Sequence, residues 1–456
     1  MLPIIAGPTY AEMRDPGLLS AELRARALAA RHDELDPLNL FNLTWHRPEG
    51  GISHLVVPPA LSGVEATIIM LVGATFPSGS HKVGPAYATL AEAEALNGIR
   101  PGSKTVVGPS TGNFGIGTAY VSALKGYSAL VVMPDTMSRE RYERIRRYGG
   151  TLDLTPGSES DVILTLERTH SQYVANPDYL VLAQFELLPN YRFHRVVTGS
   201  AALEAAAAYG NGRVAAFVAA PGSAGTLAAG DAIKARYNET VVVALEPAEC
   251  ATLYRGGQGQ HLIEGIGDKM VTLIHNLLST DYVALIHDQD CVRGLRVLAQ
   301  GGWDGFGPQC GCGRTAGPCL RDCLGISAVC NLIGAIKTAR LLGLGPNDNI
   351  VTVATDRFDR YPSVLHELER REGPADAAHL AAEAERIFGQ ADTSAMLEVR
   401  SADQQERLHT MKADLWRRFG YDESLFSAMR SAAYWEEQAA LSELIDREII
   451  ALRDMV

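Results

Sequence analysis

The sequence predicts an α/β fold with two domains, each built on a parallel β-sheet covered by helices. Short apolar, β-branched runs alternate with alanine-rich stretches of helical length, at residues 105–107, 129–133, 215–219, 240–244 and 350–353. Apart from single threonines these runs are apolar and do not alternate, as is typical of strands buried on both faces of a parallel sheet. Two of the runs lead into glycine-rich loops, and such sheets bind ligands beyond the carboxyl ends of their strands.

The length and charge of the chain limit the classes of protein to which it can belong. The 456 residues suffice for two domains with additional segments. The net charge of -12 argues against a nucleic-acid surface, and the basic run at 139–147 interleaves acidic residues, which predicts a solvated helix face. No apolar run approaches the ~20 residues that cross a bilayer, and no secretion signal is visible at the N-terminus. We therefore expect a cytoplasmic protein that binds neither nucleic acid nor membrane.

Both glycine-rich loops are predicted to bind an anion. The first, Gly108-Pro-Ser-Thr-Gly-Asn113-Phe-Gly, leads from a strand into a helix, whose first N–H groups have no internal partner. The second, Gly222-Ser-Ala-Gly-Thr226, has the same position after the run at 215–219. Its glycines allow close approach of a phosphate, and its hydroxyl groups add donors.

Lys82 lies in the turn Pro77-Ser-Gly-Ser-His-Lys82-Val-Gly. One lysine and two anion loops fit pyridoxal phosphate, in which a lysine carries the Schiff base and a separate loop holds the phosphate. The same features fit other ligands, since a glycine that follows a strand more often only makes a turn.

Several motifs occur in a fixed order along residues 60 to 365. They are Ser-Gly-Ser-His-Lys82, Pro109-Ser-Thr-Gly-Asn113, Gln184-Phe185, Gly222-Ser-Ala-Gly-Thr226, Gly265-Ile-Gly267 and Gly325-Ile-Ser327. In this order and at these distances they resemble the cysteine synthase and cystathionine β-synthase family of pyridoxal phosphate enzymes, which has the tryptophan synthase β-like fold. The resemblance depends on the ordered set of motifs, because each motif alone is weak.

The resemblance implies a role for each matched residue. Lys82 carries the pyridoxal 5'-phosphate and then removes the Cα proton of the substrate, and Asn113 hydrogen-bonds the ring oxygen of the cofactor. The substrate carboxylate is held by Ser110, Thr111, Gly112 and Gln184, and the cofactor phosphate by Gly222, Ser223, Ala224, Gly225 and Thr226. Ala224 stands where the family usually has glycine, which is acceptable if this position needs no positive φ.

Two positions depart further from the family pattern. Ser80-His81-Lys82-Val83 is closer to the tryptophan synthase β subunit than to cysteine synthases, and that likeness places His81 near the cofactor phosphate. At the end of the last predicted strand, counting back from Tyr361 aligns Asp356 with the family's serine that faces the pyridine nitrogen. A shift of one residue in this alignment would place Thr355 there instead, so both residues are candidates. A carboxylate there favours a protonated ring nitrogen and a stronger electron sink, whereas Asp356 as an N-cap or an ion-pair partner would have no such role.

The resemblance also implies the division into domains. It predicts an N-terminal arm (1–50), a large cofactor-binding domain (51–90 and 196–370) and a smaller mobile domain (91–195). Beyond it, residues 371–456 are predicted to form a helical extension of about three helices, with Leu441, Leu444, Ile445, Ile449 and Leu452 on one face. This extension is expected to pack over the core or to contribute to a homodimer.

Five of the seven cysteines lie close together, at Cys310, Cys312, Cys319, Cys323 and Cys330. The first four lie in or directly after a loop rich in glycine and proline, and they could bind zinc or an iron–sulfur centre, handle sulfur, or be plain thiols. The spacing matches no standard zinc pattern, so no metal is assigned. Cys330 is expected on a buried helix.

The resemblance favours β-replacement on a small amino acid, in which an aminoacrylate forms through Lys82 and adds a thiol or sulfide. A β-elimination lyase such as a cysteine desulfhydrase is the alternative, because one fold hosts both outcomes. A non-catalytic cofactor-binding partner protein is less consistent with the joint presence of Lys82, Asn113, Gln184 and the phosphate loop.

Overall fold

The structure, a computed structural model, describes residues 6–110, 112–301 and 323–454. Within these residues the strands are β1 His54–Val56, β2 Thr67–Val72, β3 Thr105–Pro109, β4 Ala129–Pro134, β5 Thr151–Thr155, β6 Tyr179–Val181, β7 Val214–Ala219, β8 Val241–Pro247, β9 Tyr282–Ile286, β10 Asn349–Ala354 and β11 Met396–Glu398.

The strands form two sheets, which confirms the predicted fold class. The larger sheet has the order β1-β2-β10-β7-β8-β9-β11 and the smaller has the order β5-β4-β3-β6. All pairs in the smaller sheet are parallel. In the larger sheet only the two edge strands are antiparallel, β1 to β2 and β11 to β9. The segment after residue 371 therefore contributes a strand to this sheet as well as helices.

Helices cover both sheets. Those packed on the smaller sheet include Asn113–Lys125, Arg139–Arg147 and Val162–Thr169. On the larger sheet, Gly199–Ala206 and Ala228–Arg236 cover one face, and Ile326–Leu342 with Asp288–Gln300 covers the other. The other α-helices before residue 371 are Tyr10–Arg14, Ala21–Ala30, Pro59–Ser62, Val83–Asn97, Leu188–Phe193 and Thr252–Arg255; Pro362–Glu372 crosses that boundary. None of the described helices is both long and apolar enough to cross a bilayer.

Alternate side chains of the central strands enter two different cores. Phe217 packs with the helices on one face of the larger sheet, whereas Ala216 and Val218 pack with those on the other. Because both faces are covered, all but one position of β7 is buried, and the strand is apolar without alternation. Cys330 is fully buried in the helix Ile326–Leu342, as predicted.

The C-terminal extension contains the α-helices Ala377–Ala384, Ala402–Trp416, Glu423–Ala428 and Ala432–Asp454. In the last of these, Ile445, Ile449 and Leu452 are buried. Leu441 and Leu444, on the same predicted apolar face, are 37% and 42% exposed. The helix buries a stripe of positions three and four residues apart, and this stripe is too narrow to include all five apolar side chains.

Candidate active site

One cleft is lined by residues that directly follow β3, β7 and β10, together with Lys82. Its wall contains nearly all the predicted site residues described by the structure, namely Lys82, Ser110, Gly112, Asn113, Gln184, Gly222, Ser223, Thr226 and Thr355. His81, Gly265, Asp268, Ser327 and Asn331 also line it. Thr111 lies outside the described residues. The topology brings these segments together because the carboxyl ends of parallel strands lie at one edge of a sheet.

The Lys82 amine lies against the second glycine-rich loop. Its Nζ donates a hydrogen bond to Ser223 Oγ at 3.2 Å. Desolvation in the cleft lowers the pKa of Lys82 to about 8, although the carboxylates of Asp268 and Glu159 oppose the shift. A lower pKa increases the fraction of neutral amine, which is the nucleophilic form that condenses with an aldehyde.

The loop 222–226 is packed so closely that side chains are excluded at two positions. A Cβ on Gly222 would lie 2.4 Å from the carbonyl oxygen of Gly265, and one on Gly225 would lie 2.2 Å from Asn190 Oδ1. Ala224 has φ +64, in the left-handed region. Alanine was expected to be acceptable at this position only if φ is not positive, and that condition is not met. This conformation costs a non-glycine residue roughly 1–2 kcal/mol, and such strain concentrates at functional sites.

Ser223 is held in place from three sides. Its Oγ accepts from Asn190 Nδ2 at 2.9 Å as well as from Lys82, and its carbonyl oxygen accepts from Thr272 Oγ1 at 2.9 Å. After this residue the chain enters a 3-10 turn, Gly225–Leu227, and then the helix Ala228–Arg236. The N–H groups at the start of a helix are directed at a bound anion, so the loop is suited to a phosphate group.

The residues present fit a pyridoxal phosphate. A nucleophilic lysine, a glycine loop at a helix start and a polar cleft occur together. In addition, His81 Nδ1, His81 Nε2 and Asp268 Oδ1 are buried without any hydrogen-bond partner. Because buried polar atoms are nearly always paired in folded proteins, orphan atoms in the residues that line a cleft indicate a polar ligand. Burial lowers the pKa of His81 to about 3, so its ring is neutral and can donate from one nitrogen.

The first glycine-rich loop is shaped by Ser110. Its Oγ accepts hydrogen bonds from Gly112 N at 3.0 Å and Gly115 N at 2.9 Å, across the start of the helix Asn113–Lys125. Gln184 Nε2 donates to Pro109 O at 3.3 Å, which ties the glutamine to the strand that precedes the loop. The predicted carboxylate-binding residues Ser110, Gly112 and Gln184 therefore lie on one part of the cleft wall.

Of the two candidates for the residue that faces the pyridine nitrogen, only Thr355 lines the cleft. Asp356 is fully buried, and its Oδ2 accepts from Asn113 Nδ2 at 2.6 Å and from the Tyr361 hydroxyl at 2.8 Å. The Arg360 Nε donates to the other end of the same carboxamide, Asn113 Oδ1, at 2.7 Å. In this arrangement Asp356 orients Asn113, and the side chain on the cleft wall is that of Thr355.

Sequence reasoning missed Arg141. The basic run forms the expected helix, Arg139–Arg147, but Arg141 is fully buried instead of solvated. Its Nη2 lies 3.1 Å from Glu264 Oε2 and 3.2 Å from the Tyr361 hydroxyl. The Glu159 carboxylate, at 3.7 Å, helps to raise its pKa. The sequence contains one indication that Arg141 is buried: the apolar Ile145, four residues later on the same face of the helix, is the other buried residue.

The cysteine cluster lies largely outside the described residues, which exclude Cys310, Cys312 and Cys319. Cys323 is half-buried, and Cys250, Cys291 and Cys330 are buried free thiols. Among the residues that the structure describes, no group of three or more histidine, cysteine or acidic side chains is arranged to hold a metal ion.

The residues that line this cleft lie in a part of the chain that matches known proteins. The family model described as "Pyridoxal-phosphate dependent enzyme" matches residues 59–356. A probable cysteine synthase of Bacillus subtilis is 32% identical over 288 residues, which cover 63% of this chain and 85% of that protein. The cysteine synthase of Staphylococcus aureus is also 32% identical over 288 residues, covering 63% of this chain and 84% of that protein.

Solved structures agree with this result. The crystal structure of O-ureido-L-serine synthase matches with a TM-score of 0.56 and 28% identity, covering 70% of this chain and 92% of that one. A hydrogen sulfide-producing enzyme from Fusobacterium nucleatum matches with a TM-score of 0.58 and 26% identity, covering 72% of this chain and 91% of that one.

Proposed function

Because this chain belongs to the cysteine synthase and cystathionine β-synthase family of pyridoxal-phosphate dependent enzymes, we propose that it replaces the β-substituent of a small amino acid with a thiol or sulfide. One observation carries the proposal: the Lys82 amine contacts the phosphate-type loop at Ser223, inside the cleft that also contains Asn113 and Gln184. The names of the relatives favour replacement over elimination.

Pyridoxal phosphate, when bound, supplies an aldehyde that condenses with an amine and a ring that accepts the electron pair of the substrate Cα. The chain holds this cofactor through Lys82 and through the N–H and hydroxyl groups of residues 222–226. Hydrogen bonds with Asp356 and Arg360 fix the Asn113 side chain, and a side chain that is held in this way loses less entropy when it binds a ligand.

The substrate carboxylate docks at Ser110, Gly112 and Gln184, where the first N–H groups of a helix favour an anion. Lys82, which lines the same cleft, takes the Cα proton of the substrate as a general base and later returns it. A pKa of about 8 suits this exchange near neutral pH. We further propose that residues 91–195 act as a mobile domain that closes over the cleft and excludes water.

We also propose a cytoplasmic homodimer. Cys291 and Cys330 are neighbours whose thiols interact, yet both are free, which suits a reducing compartment. Leu18 and Leu28, at the N-terminal arm, are 58% and 46% exposed, and a second copy of the chain could cover them. Sedimentation of the purified protein tests the dimer, and a monomer at micromolar concentration would contradict it.

The main test is cofactor loading followed by turnover. The purified protein should show a visible absorbance band with pyridoxal phosphate, and Lys82→Ala should abolish it. Lys104→Ala is a matched control, because Lys104 precedes β3 at the strand end opposite the cleft. With O-acetyl-L-serine and sulfide, cysteine should form faster than pyruvate. A protein that stays colourless would refute the assignment, and pyruvate as the main product would show that the enzyme is a lyase.

A further inference from the structure

A second cavity, of about 260 Å³, lies beside the turn that leads to Lys82. Its wall combines three parts of the chain: Arg31 and Glu34 of the N-terminal arm, Tyr120 and Arg144 of two helices on the smaller sheet, and Ser78 and Arg357, which follow β2 and β10. No residue that lines the cofactor cleft also lines this cavity. Pockets for drug-sized molecules measure about 300–1,000 Å³, so this cavity has the size for a small metabolite.

The cavity wall carries more positive than negative charge. Its one carboxylate, Glu34, pairs with Arg147 Nη2 at 2.6 Å. Arg144 Nη2 pairs with Asp359 Oδ2 at 2.8 Å. The guanidinium groups of Arg31 and Arg357 form no ion pair with any of the described residues. Two positive charges are therefore left without a carboxylate partner around one cavity.

Both of these guanidinium groups have donors to spare. The Arg357 Nε donates to Ala74 O at 2.9 Å, and this is the one hydrogen bond that its guanidinium forms within the described residues. Arg31 forms none there, and the carboxylate that acts on it, Glu49, pairs with Arg47 at 3.9 Å. Both arginines are exposed, so a ligand from solvent can reach them.

Ser78 shows two further signs of a ligand site. It has φ +63 within the 3-10 turn Pro77–Gly79, and such strain concentrates at functional sites. It is 6% exposed, and its Oγ is buried without a hydrogen-bond partner, which is rare in folded proteins. Its carbonyl oxygen accepts from Arg144 Nη1 at 3.1 Å and from Arg360 Nη2 at 2.6 Å, so the turn itself holds guanidinium groups at the cavity.

We propose that this cavity binds a small phosphate monoester, whose phosphate group is held by Arg31, Arg144 and Arg357. The planar guanidinium group matches the oxygens of a phosphate, with two parallel hydrogen bonds. A phosphate monoester carries a charge of about −1.5 to −2 at pH 7, which balances the two unpaired arginines better than a single carboxylate does. The rest of the cavity, beside the Tyr120 ring, accommodates the organic part.

The bound phosphate would join three parts of the chain. Arg31 belongs to the N-terminal arm, Arg144 to the helix Arg139–Arg147, and Arg357 to the segment after β10. Because the ligand binds only the folded arrangement of these parts, it should stabilise the protein against unfolding. The reaction at Lys82 does not enter this inference, which therefore stands apart from the proposed function.

The test is calorimetric titration of the holoenzyme, in which pyridoxal phosphate already fills the cofactor cleft. At constant ionic strength, glycerol 3-phosphate should bind with one molecule per chain, inorganic phosphate should bind more weakly, and glycerol should give no binding heat. An equal affinity for inorganic phosphate and glycerol 3-phosphate would identify the free ion as the ligand and overturn the assignment to a monoester.

Two substitutions locate the binding. Arg31→Gln and Arg357→Gln should each weaken the binding of glycerol 3-phosphate at least about tenfold, because each removes a charged donor. The matched control is Arg26→Gln, because the Arg26 side chain is 61% exposed on the same arm but does not line the cavity. It should leave the affinity unchanged. Circular dichroism and the visible cofactor band check that each variant is folded and loaded.

Thermal unfolding gives an independent measurement. Glycerol 3-phosphate should raise the Tm of the wild-type holoenzyme and not that of the variant that combines Arg31→Gln with Arg357→Gln. The absence of binding, an affinity that neither substitution changes, or an equal loss in Arg26→Gln would each overturn the phosphate site and leave β-replacement intact. A holoenzyme that binds glycerol 3-phosphate as described but forms no replacement product would overturn the proposed function alone.

Discussion

Trp416 joins the C-terminal extension to the cofactor site, and replacing it tests whether the extension supports that site. Trp416 is fully buried near the end of the helix Ala402–Trp416, and its Nε1 donates to Val271 O at 2.8 Å. The next residue, Thr272, donates through Oγ1 to Ser223 O at 2.9 Å. Three residues thus connect the extension to the phosphate loop.

Two substitutions separate packing from hydrogen bonding at this position. Trp416→Phe keeps most of the ring volume but leaves Val271 O without its donor, which we expect to cost about 1–3 kcal/mol. Trp416→Ala also removes the ring that packs against Phe419 and Tyr421, at centroid distances of 5.5 and 5.8 Å, and should cost about 3–5 kcal/mol. Urea unfolding followed by circular dichroism measures both values.

The affinity for pyridoxal phosphate, measured by absorbance titration, tests the coupling to the cofactor site. Trp416→Ala should weaken binding by about tenfold, which corresponds to ~1.4 kcal/mol of the lost stability reaching the loop. Trp435→Phe is the control, because the Trp435 Nε1 donates to Met429 O within the extension. It should lower stability without changing affinity. An unchanged affinity in Trp416→Ala would refute the coupling, and an equal stability loss in the Phe and Ala variants would refute the division between packing and hydrogen bonding.

Three further substitutions test the phosphate loop, the buried Lys412 of the helix Ala402–Trp416 and the carboxylate of Asp356. Gly222→Ala should weaken pyridoxal phosphate binding by at least about tenfold, because the new Cβ would force the carbonyl oxygen of Gly265 away. Absorbance titration measures the affinity, and unchanged binding would contradict the close packing of the loop. Burial lowers the pKa of Lys412 to about 7, so between pH 7 and 10 the Lys412 amine is protonated mainly in the unfolded chain. The stability of the wild type relative to Lys412→Met should therefore rise over this range, by up to about 1.4 kcal/mol per pH unit. Urea unfolding at several pH values checks the sign. Asp356→Asn should cost about 3 kcal/mol through its contact with Asn113 and leave the visible spectrum of the bound cofactor unchanged, whereas a shifted spectrum would place Asp356 at the pyridine nitrogen.

The fold and the members of the site were predictable because each depends on a local pattern or on an ordered set of motifs. Strands buried on both faces are apolar throughout, and β7 and β10 appear in the sequence as such runs. The loop 222–226 follows β7 at the place where parallel sheets bind ligands. Lys82 was identified from its motif, and the fold then brings it to within hydrogen-bond distance of Ser223.

The properties that the sequence does not reveal arise only from tertiary contacts. The φ of +64 at Ala224 is imposed by the neighbours of the loop, and an alanine in a sequence carries no sign of it. The burial of Arg141 depends on Glu264, which lies 123 residues away. Leu441 and Leu444 satisfy a helical pattern but lie outside the buried stripe, because the pattern does not reveal how wide the opposing surface is.

Gly112 shows why a motif can be correct while the reason given for it is wrong. A glycine in an anion-binding loop is commonly explained by a φ in the left-handed region, but Gly112 has φ 172, which lies outside that region. Instead, a Cβ at this position would lie 2.5 Å from Arg141 Nη1. Because Arg141 also pairs with Glu264, the absence of a side chain at Gly112 lets the guanidinium reach both the loop predicted to bind the substrate carboxylate and the segment that carries Glu264. Gly112 is therefore needed for the approach of Arg141, and a larger residue there would separate these two parts of the cleft.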